Sequence, residues 1–432
     1  MNLHLLNRAL GALGPQAFER AEKTRLLHAL QPTTRRYGVP SSDNGGAEDL
    51  VAHRAGVSSI TIDKFEGRYL LSGGADSSIS MWDLESISDG SVRFLRKVVS
   101  HPSCRTSIKH NLGITHLSFY AFDSGAFLSS SYDHTLKLYN SETMETASVF
   151  DLGAVVYSHS MSPIAHHNIV ACATQGPNIR LVNLNSGSAS HALPGHAGAV
   201  LSTAWSPVHE HRLASAGADG TVRFWDIRKS ASCLGLLDSE DSIGIQGIDG
   251  VGGGARSRQR GRAHMGAANG VIWTEDGRHV VTTGHDNKVR VWDTITGANT
   301  LVNFGPLIKN SHLTTLLPLI APSDLTRPGK EVLFYPNPNE IMAYEMLDGT
   351  MIKRLRVPAR PTKVGGQFLR GPGFKTRTTA LAWRAHDVEL YSAHSDGCIR
   401  AWAPRTQEDM LVDDEEIEEI AAEAESRERK RK

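Results

Sequence analysis

Histidine, serine and aspartate, the residue types of a hydrolase relay, recur along this chain at fixed spacing. An Asp stands six residues before an aromatic ring at Asp76/Trp82, Asp133/Tyr139, Asp219/Trp225, Asp286/Trp292 and Asp396/Trp402. Four residues before each Asp is a hydroxyl: Ser72, Ser129, Ser215, Thr282 and Ser392. Twenty-three residues before the Asp, or 22 in one copy, is His53, His110, His196 or His264; the fifth copy has Phe374 and Lys375 in that region. A nucleophile and its base need one such set in one cleft. A set repeated this often, without a G-x-S-x-G elbow to expose the serine, reads instead as a structural hydrogen-bond chain. Each of its bonds contributes about 1 kcal/mol net.

Other chemistry is no better supported. Cys104, Cys172, Cys233 and Cys398 are not paired at metal spacing, and His166-His167 has no Cys or carboxylate at ligand distance. Gly252-Gly253-Gly254 lacks the strand and helix of a nucleotide site, and no G-x-x-x-x-G-K-[S/T] occurs. No catalytic residue, cofactor or metal is expected. Four scattered thiols in 432 residues, with no secretory apolar run at the start, suggest a reducing compartment. No apolar run approaches membrane-spanning length. The 46 basic and 46 acidic residues cancel, so no global field draws the chain to nucleic acid, and direct contact with it is not expected.

The elements that carry the sets follow from the repeat. From Asp133 to Asp219 is 86 residues, room for two units, with a worn one through Ile169–Ala173 and Ile179–Asn183. From Asp286 to Asp396 is 110 residues, room for another at Glu331–Tyr335 and Ile341–Tyr344. Five clear units plus two worn ones make seven. A repeat of about 43 residues with four strands is a WD-type blade, so the chain is expected to be all-β, a seven-bladed propeller over 48–405. The Asp sits in the tight turn between the second and third strands. Residues Glu48–Ala52 are expected to supply the last strand and close the ring.

Outside the ring, residues 1–31 read as a helical arm. Leu3, Leu6, Leu10 and Leu13 form a stripe, Gly14-Pro15 interrupts it, and Phe18, Ala21, Leu26, Leu27 and Leu30 continue it on a second helix that Pro32 ends. This arm is expected to dock in a partner's groove and not to take part in closure. Residues 32–47 read as a linker. An insert at 239–263 carries Arg256, Arg258, Arg260 and Arg262, and another at 306–330 enlarges blade six. The tail, 406–432, has ten acidic residues from Glu408 to Glu425 and then Arg427, Arg429, Lys430, Arg431 and Lys432, a nuclear-import type of cluster.

Blade four ends Trp225-Asp226-Ile227-Arg228. Other blades have Glu85, Glu142 or Ile295 at the Arg228 position, so from sequence blade four alone pairs both charges. The stretch 213–228 resembles the box of WD-repeat substrate receptors of cullin–RING ubiquitin ligases. Four further stretches, 20–25, 66–74, 156–163 and 299–305, are similar to the Cockayne syndrome group A family of those receptors, in order from about residue 20 to 405. The resemblance implies a nuclear, non-catalytic receptor in transcription-coupled nucleotide-excision repair. It implies a large propeller adaptor bridging to the cullin–RING core, contacted by Trp225, Asp226 and Arg228 and by Arg20, Glu22 and Arg25 of the arm. It also implies a Swi/Snf-type translocase and stalled RNA polymerase machinery as partners. The alternative is a general WD-repeat scaffold for a chromatin or RNA-processing complex.

Overall fold

The computed structural model describes residues 2–12, 14–33, 37, 52–88, 91–97, 109–228, 233–239, 261–356, 362–364, 367–369 and 376–404. These form seven antiparallel sheets arranged as the blades of a β-propeller, and a separate two-stranded hairpin of Thr362–Val364 with Gln367–Leu369. Blade one runs through Val57–Ile62, Tyr69–Gly74, Ile79–Ser88 and Ser91–Lys97. Blade two starts at Ile114, blade three at Val156, blade four at Val200, blade five at Ala268, blade six at Leu319 and blade seven at Thr378. The worn units are real blades: Ile169–Thr174 pairs with Asn178–Asn183, and Val332–Asn337 with Glu340–Glu345.

Each blade buries both faces against its neighbours. Second strands therefore lose the apolar/polar alternation of a half-exposed sheet: Leu213 to Gly217 are all buried. Outer strands keep it, as at Thr146–Asp151. The apolar core is divided into seven clusters, one at each blade–blade junction.

Ring closure differs from the expectation. The fourth strand of blade seven is Leu30–Pro32, which pairs antiparallel with Ile399–Pro404 through Leu30↔Pro404 and Pro32↔Trp402. The cause is burial. Leu27 and Leu30 fill the junction between blades six and seven beside Leu325, Leu355 and Trp402. Ala52 instead donates its N–H to Gly397 O in a tight turn; Glu48 to Val51 lie outside the described residues. The ring thus begins at residue 30 rather than 48. The linker also holds a core residue: Tyr37 stands edge-on to Trp82 and Tyr391, with centroids 5.9 and 6.1 Å away.

The arm is two helices, α1 (Asn2–Ala9) and α2 (Pro15–His28), broken at Gly14-Pro15. Helix α2 stops at His28, before Leu30, because Lys353 Nζ donates to His28 O and Leu30 O (3.0 and 2.7 Å) and the chain passes directly into the closing strand. The first insert leaves and returns at one point, where Ser239 N donates to Arg262 O at 2.9 Å; residues 240–260, Phe374, Lys375 and the tail from 405 lie outside the described residues.

Candidate protein-binding site

The repeated sets assemble blade by blade. In blade one, His53 Nε2 is 2.8 Å from Ser72 Oγ, to which Trp82 Nε1 donates at 2.9 Å, and His53 Nδ1 is 3.3 Å from Asp76. Blade four repeats this with His196, Ser215, Trp225 and Asp219, and blade five with His264, Thr282, Trp292 and Asp286. Blade two joins His110 to Ser129 and Asp133, with Tyr139 in place of the indole. The order Ser–His–Asp is that of a hydrolase relay, but Ser72, Ser129, Ser215, Thr282 and Ser392 are all 0% exposed. In the four tryptophan blades the hydroxyl also accepts an indole N–H. No substrate reaches these oxygens, so the sets are internal ties.

Burial alone would raise the carboxyls of Asp76, Asp133, Asp219 and Asp286. Hydrogen bonds and charge from the paired histidines, joined by Ser78, Thr135, backbone N–H groups or Arg290, together outweigh it and hold all four well below the usual carboxylate range.

Blade seven, without a histidine at the loop position, takes one from its own second strand. His394 lies two residues after Ser392, and its Nε2 is 2.8 Å from Ser392 Oγ, to which Trp402 Nε1 donates at 2.9 Å. The equivalent position is Ser131 in blade two, where the loop histidine fits beside a side chain, and in blades one, four and five it is Gly74, Gly217 and Gly284. A Cβ there would stand 2.5, 2.5 or 2.3 Å from Nδ1 of the incoming loop histidine. A histidine at the glycine position was the sequence signal for this substitution. A second missed position is two residues after the Asp, where Ser78, Thr135 and Thr221 bond the histidine Nδ1. Where Lys288 or Cys398 stands there, Arg290 or Arg400 binds the Asp instead (2.7 and 2.8 Å).

The exposed chemistry lies at the other end of the blades. Arg228 grips Asp226 with two donors, Nε at 3.0 Å and Nη2 at 2.7 Å, and its backbone N–H also donates to Asp226. That fork holds the Asp226 carboxyl down at about 2. The Arg228 side chain is 65% exposed, so a fixed guanidinium faces solvent. Trp225 is 0% exposed and Asp226 is buried, which removes both side chains from direct contact: Asp226 positions Arg228, and Trp225 ties to Ser215 inside the blade. Nor is blade four alone in pairing the charges. In blade one, Arg68 from the neighbouring turn holds Asp83 at 3.2 and 2.9 Å, a pairing between residues 15 apart that the W-D-x-R spacing does not show.

Arg228 shares its rim with the arm. The turns between first and second strands touch from blade to blade. His167 Nε2 meets Glu210 O, Gly277 packs on Val208, Ser323 N donates to Glu275, and His386 Nε2 meets Phe65 O. Glu210 and His211 lie at the blade-four turn beside Arg228, where Ile227 N donates to His211 O. Helix α2 sits on the blade-six turn, where Lys23 bonds Asp324 at 3.0 Å and Thr24 donates to Leu325 O at 2.9 Å. On the arm, Arg20 and Arg25 are exposed, and Arg25 bonds the half-buried Glu22 at 3.3 Å. Helix α1 packs on α2 through Arg8 over Phe18 and leaves Leu5, Leu6 and Leu10 exposed.

The WD domain, G-beta repeat model matches residues 48–83, 102–140, 187–226 and 257–293, in blades one, two, four and five. The chain is a WD-repeat protein. WD repeat-containing protein ATCSA-1 of Arabidopsis thaliana is 29% identical over 478 aligned residues, which span 96% of this chain and 97% of the relative. Radiation-sensitive protein 28 of Saccharomyces cerevisiae is 24% identical over 45% of this WD-repeat chain and 41% of its own. Ribosome biogenesis protein ytm1 of Neurospora crassa is 27% identical over 56% and 54%. Among the described residues, no group of three or more His, Cys, Asp or Glu is placed to hold a metal, and no helix is long and apolar enough to cross a membrane.

Proposed function

We propose that this WD-repeat protein is a non-catalytic substrate receptor of a cullin–RING ubiquitin ligase, acting in the nucleus in transcription-coupled nucleotide-excision repair. The observation that carries the reading is the shared rim. A rigidly forked, exposed Arg228 and a two-helix arm with unpaired leucines face the same side of the propeller. An arginine held by its own carboxylate loses little side-chain freedom on binding, and interface arginines are common hot spots, worth roughly 2 kcal/mol or more. A leucine-faced helix suits a groove in the adaptor. The end-to-end likeness to ATCSA-1 supports this over an RNA-processing scaffold, since the ytm1 likeness covers only about half of either chain. A Swi/Snf-type translocase and proteins of the stalled polymerase would then be its cargo side.

The test is a pull-down of adaptor and cullin by the purified chain beside a variant combining Arg228→Glu with loss of residues 1–12. Removing 1–31 would also take Leu30 and Gln31 from the closing strand Leu30–Pro32, so the shorter deletion is required. Loss of adaptor from a folded variant is the expected result; full retention rejects the rim as the adaptor site.

A further inference from the structure

The first strands of the blades stand side by side round the propeller axis, and hydroxyls join them. Ser58 Oγ donates to Ile114 O, Thr115 Oγ1 to Val156 O and Thr379 Oγ1 to Val57 O. Blade six fills part of this centre. Thr315 Oγ1 donates to Leu201 O of blade four at 3.1 Å, so the chain before Leu319 reaches past blade five. A cavity of about 190 Å³ remains between Thr314, Thr315 and blades seven, one, two and three. Ala75 and Ser395, at the tight turns, line it, so it opens at the end of the blades opposite Arg228.

Arg377 is the one charged side chain in that lining. In five other blades the residue before the first strand accepts a bond from the main chain just past the second strand. Gly56 O accepts from Ala75, Gly113 O from Tyr132, Val155 O from Gln175, Ala199 O from Ala218 and Ala267 O from His285. Arg377 is the blade-seven equivalent: its O accepts from Ser395 N at 2.8 Å, and its N donates to Ser395 Oγ at 2.9 Å. Those five blades use Gly, Ala or Val there, so the ring itself needs no cation at this position.

The Arg377 main chain is held, but its side chain is not. Among the described residues the guanidinium has no carboxylate partner, and its Nε is buried without a hydrogen bond. Burial pushes the Arg377 pKa below its ordinary value, against the attraction of Tyr132. His312 stands within reach of its charge, but burial and that charge keep this imidazole below its ordinary 6.5. A half-buried cation without a partner gains most from an anion that arrives from outside. The mouth also has apolar surface. Tyr132, 39% exposed, stands edge-on to Tyr157 at 6.4 Å, and Leu313, 61% exposed, precedes Thr314.

We infer that this cavity takes one glutamate side chain from a segment of a partner protein, its carboxylate forked on Arg377 and its apolar neighbours resting on Tyr132, Tyr157 and Leu313. One guanidinium matches one carboxylate in both geometry and charge. A phosphate dianion would keep an unmatched charge, because no second Lys or Arg lines the cavity. Entry is from the face opposite Arg228, so the site does not rest on the ligase reading and can be filled while that rim is engaged.

The probes are four pools of capped, fluorescein-labelled nine-residue peptides with glutamate, glutamine, phosphoserine or lysine fixed at the centre. Valine, leucine, serine and threonine are mixed at the flanks, and anisotropy is followed on the full chain. The glutamate pool is expected to bind saturably and about tenfold tighter than the glutamine pool. Arg377→Gln should remove that preference, Tyr132→Ala should weaken binding about threefold with the charge in place, and Arg228→Glu should change nothing. Equal binding of the glutamate and glutamine pools by the unaltered protein overturns the inference, whether or not Arg377→Gln folds. An undiminished preference in folded Arg377→Gln, or absence of saturation at millimolar peptide, also overturns it. Tighter binding of the phosphoserine pool does so too, since the cavity would then belong to a phosphate.

Discussion

Blade four and blade seven build the same buried hydrogen-bond set from different positions. In blade four the histidine arrives from the preceding loop as His196, and Gly217 makes room for it. In blade seven the strand's own His394 occupies that place and bonds Ser392 directly. The serine and the tryptophan are unchanged, so the conserved requirement is an imidazole nitrogen at the hydroxyl, not a residue at a given distance in sequence. The difference also changes the ionic part. His196 faces Asp219, whereas Asp396 is held by Arg400.

The comparison can be broken most severely at the indole. Trp225→Ala and Trp402→Ala are each expected to cost about 3–5 kcal/mol in urea unfolding, since both rings are fully buried. Unequal losses would show that the two blades do not rely on the ring alike. Ser215→Ala and Ser392→Ala should each cost about 2–3 kcal/mol, because an indole N–H and an imidazole nitrogen lose their partner inside the protein.

A transplant sharpens the point. Gly217→His places a side chain where a Cβ already meets His196 Nδ1 at 2.5 Å, and should cost about 2 kcal/mol. Adding His196→Ala recreates the blade-seven arrangement, so the double variant should be more stable than the two single losses added together, as read by a double-mutant cycle.

Acid separates the blades further. Burial holds His394 well below its ordinary 6.5, so it is neutral when folded and takes a proton only on unfolding. Its contribution is complete above pH 6.5 and is lost as pH falls below that value. Asp219 is held below its ordinary 3.8, so its contribution is present above that pH and lost beneath it. His394→Gln should therefore flatten the stability profile between pH 6.5 and 4, by about 1 kcal/mol per pH unit, while Asp219→Asn should leave that interval unchanged. The smallest effect is expected at the rim. Arg228→Glu should cost about 1 kcal/mol in unfolding, because the buried Asp226 carboxylate loses both guanidinium donors and faces a second carboxylate while the other side of the pair is open to solvent, and it should change partner binding.

Much of this was legible because it is local. The second and third strands of a blade and the turn between them lie within about 20 residues, so the spacing of Ser215, Asp219 and Trp225 is one hairpin's geometry written in sequence. Even the worn blades could be counted, since gap lengths do not depend on which side chains remain. His394 escaped because a fixed offset was expected where the fold needs only an atom in a place. The Arg68–Asp83 fork escaped because Arg68 lies in the turn before one strand of a hairpin and Asp83 on the strand that pairs with it.

By itself the sequence determined seven blades, their order, the buried polar sets and the two-helix arm, because short-range hydrogen bonding and apolar periodicity are encoded in neighbouring residues. Only the tertiary structure decided that Leu30–Pro32 closes the ring and that Trp225 and Asp226 are hidden behind Arg228. Each of these depends on which distant surface is left uncovered after the blades have packed. Leu30 carries the same apolar side chain whether it extends a helix or a strand, and the empty position beside Pro404 is what selects the strand.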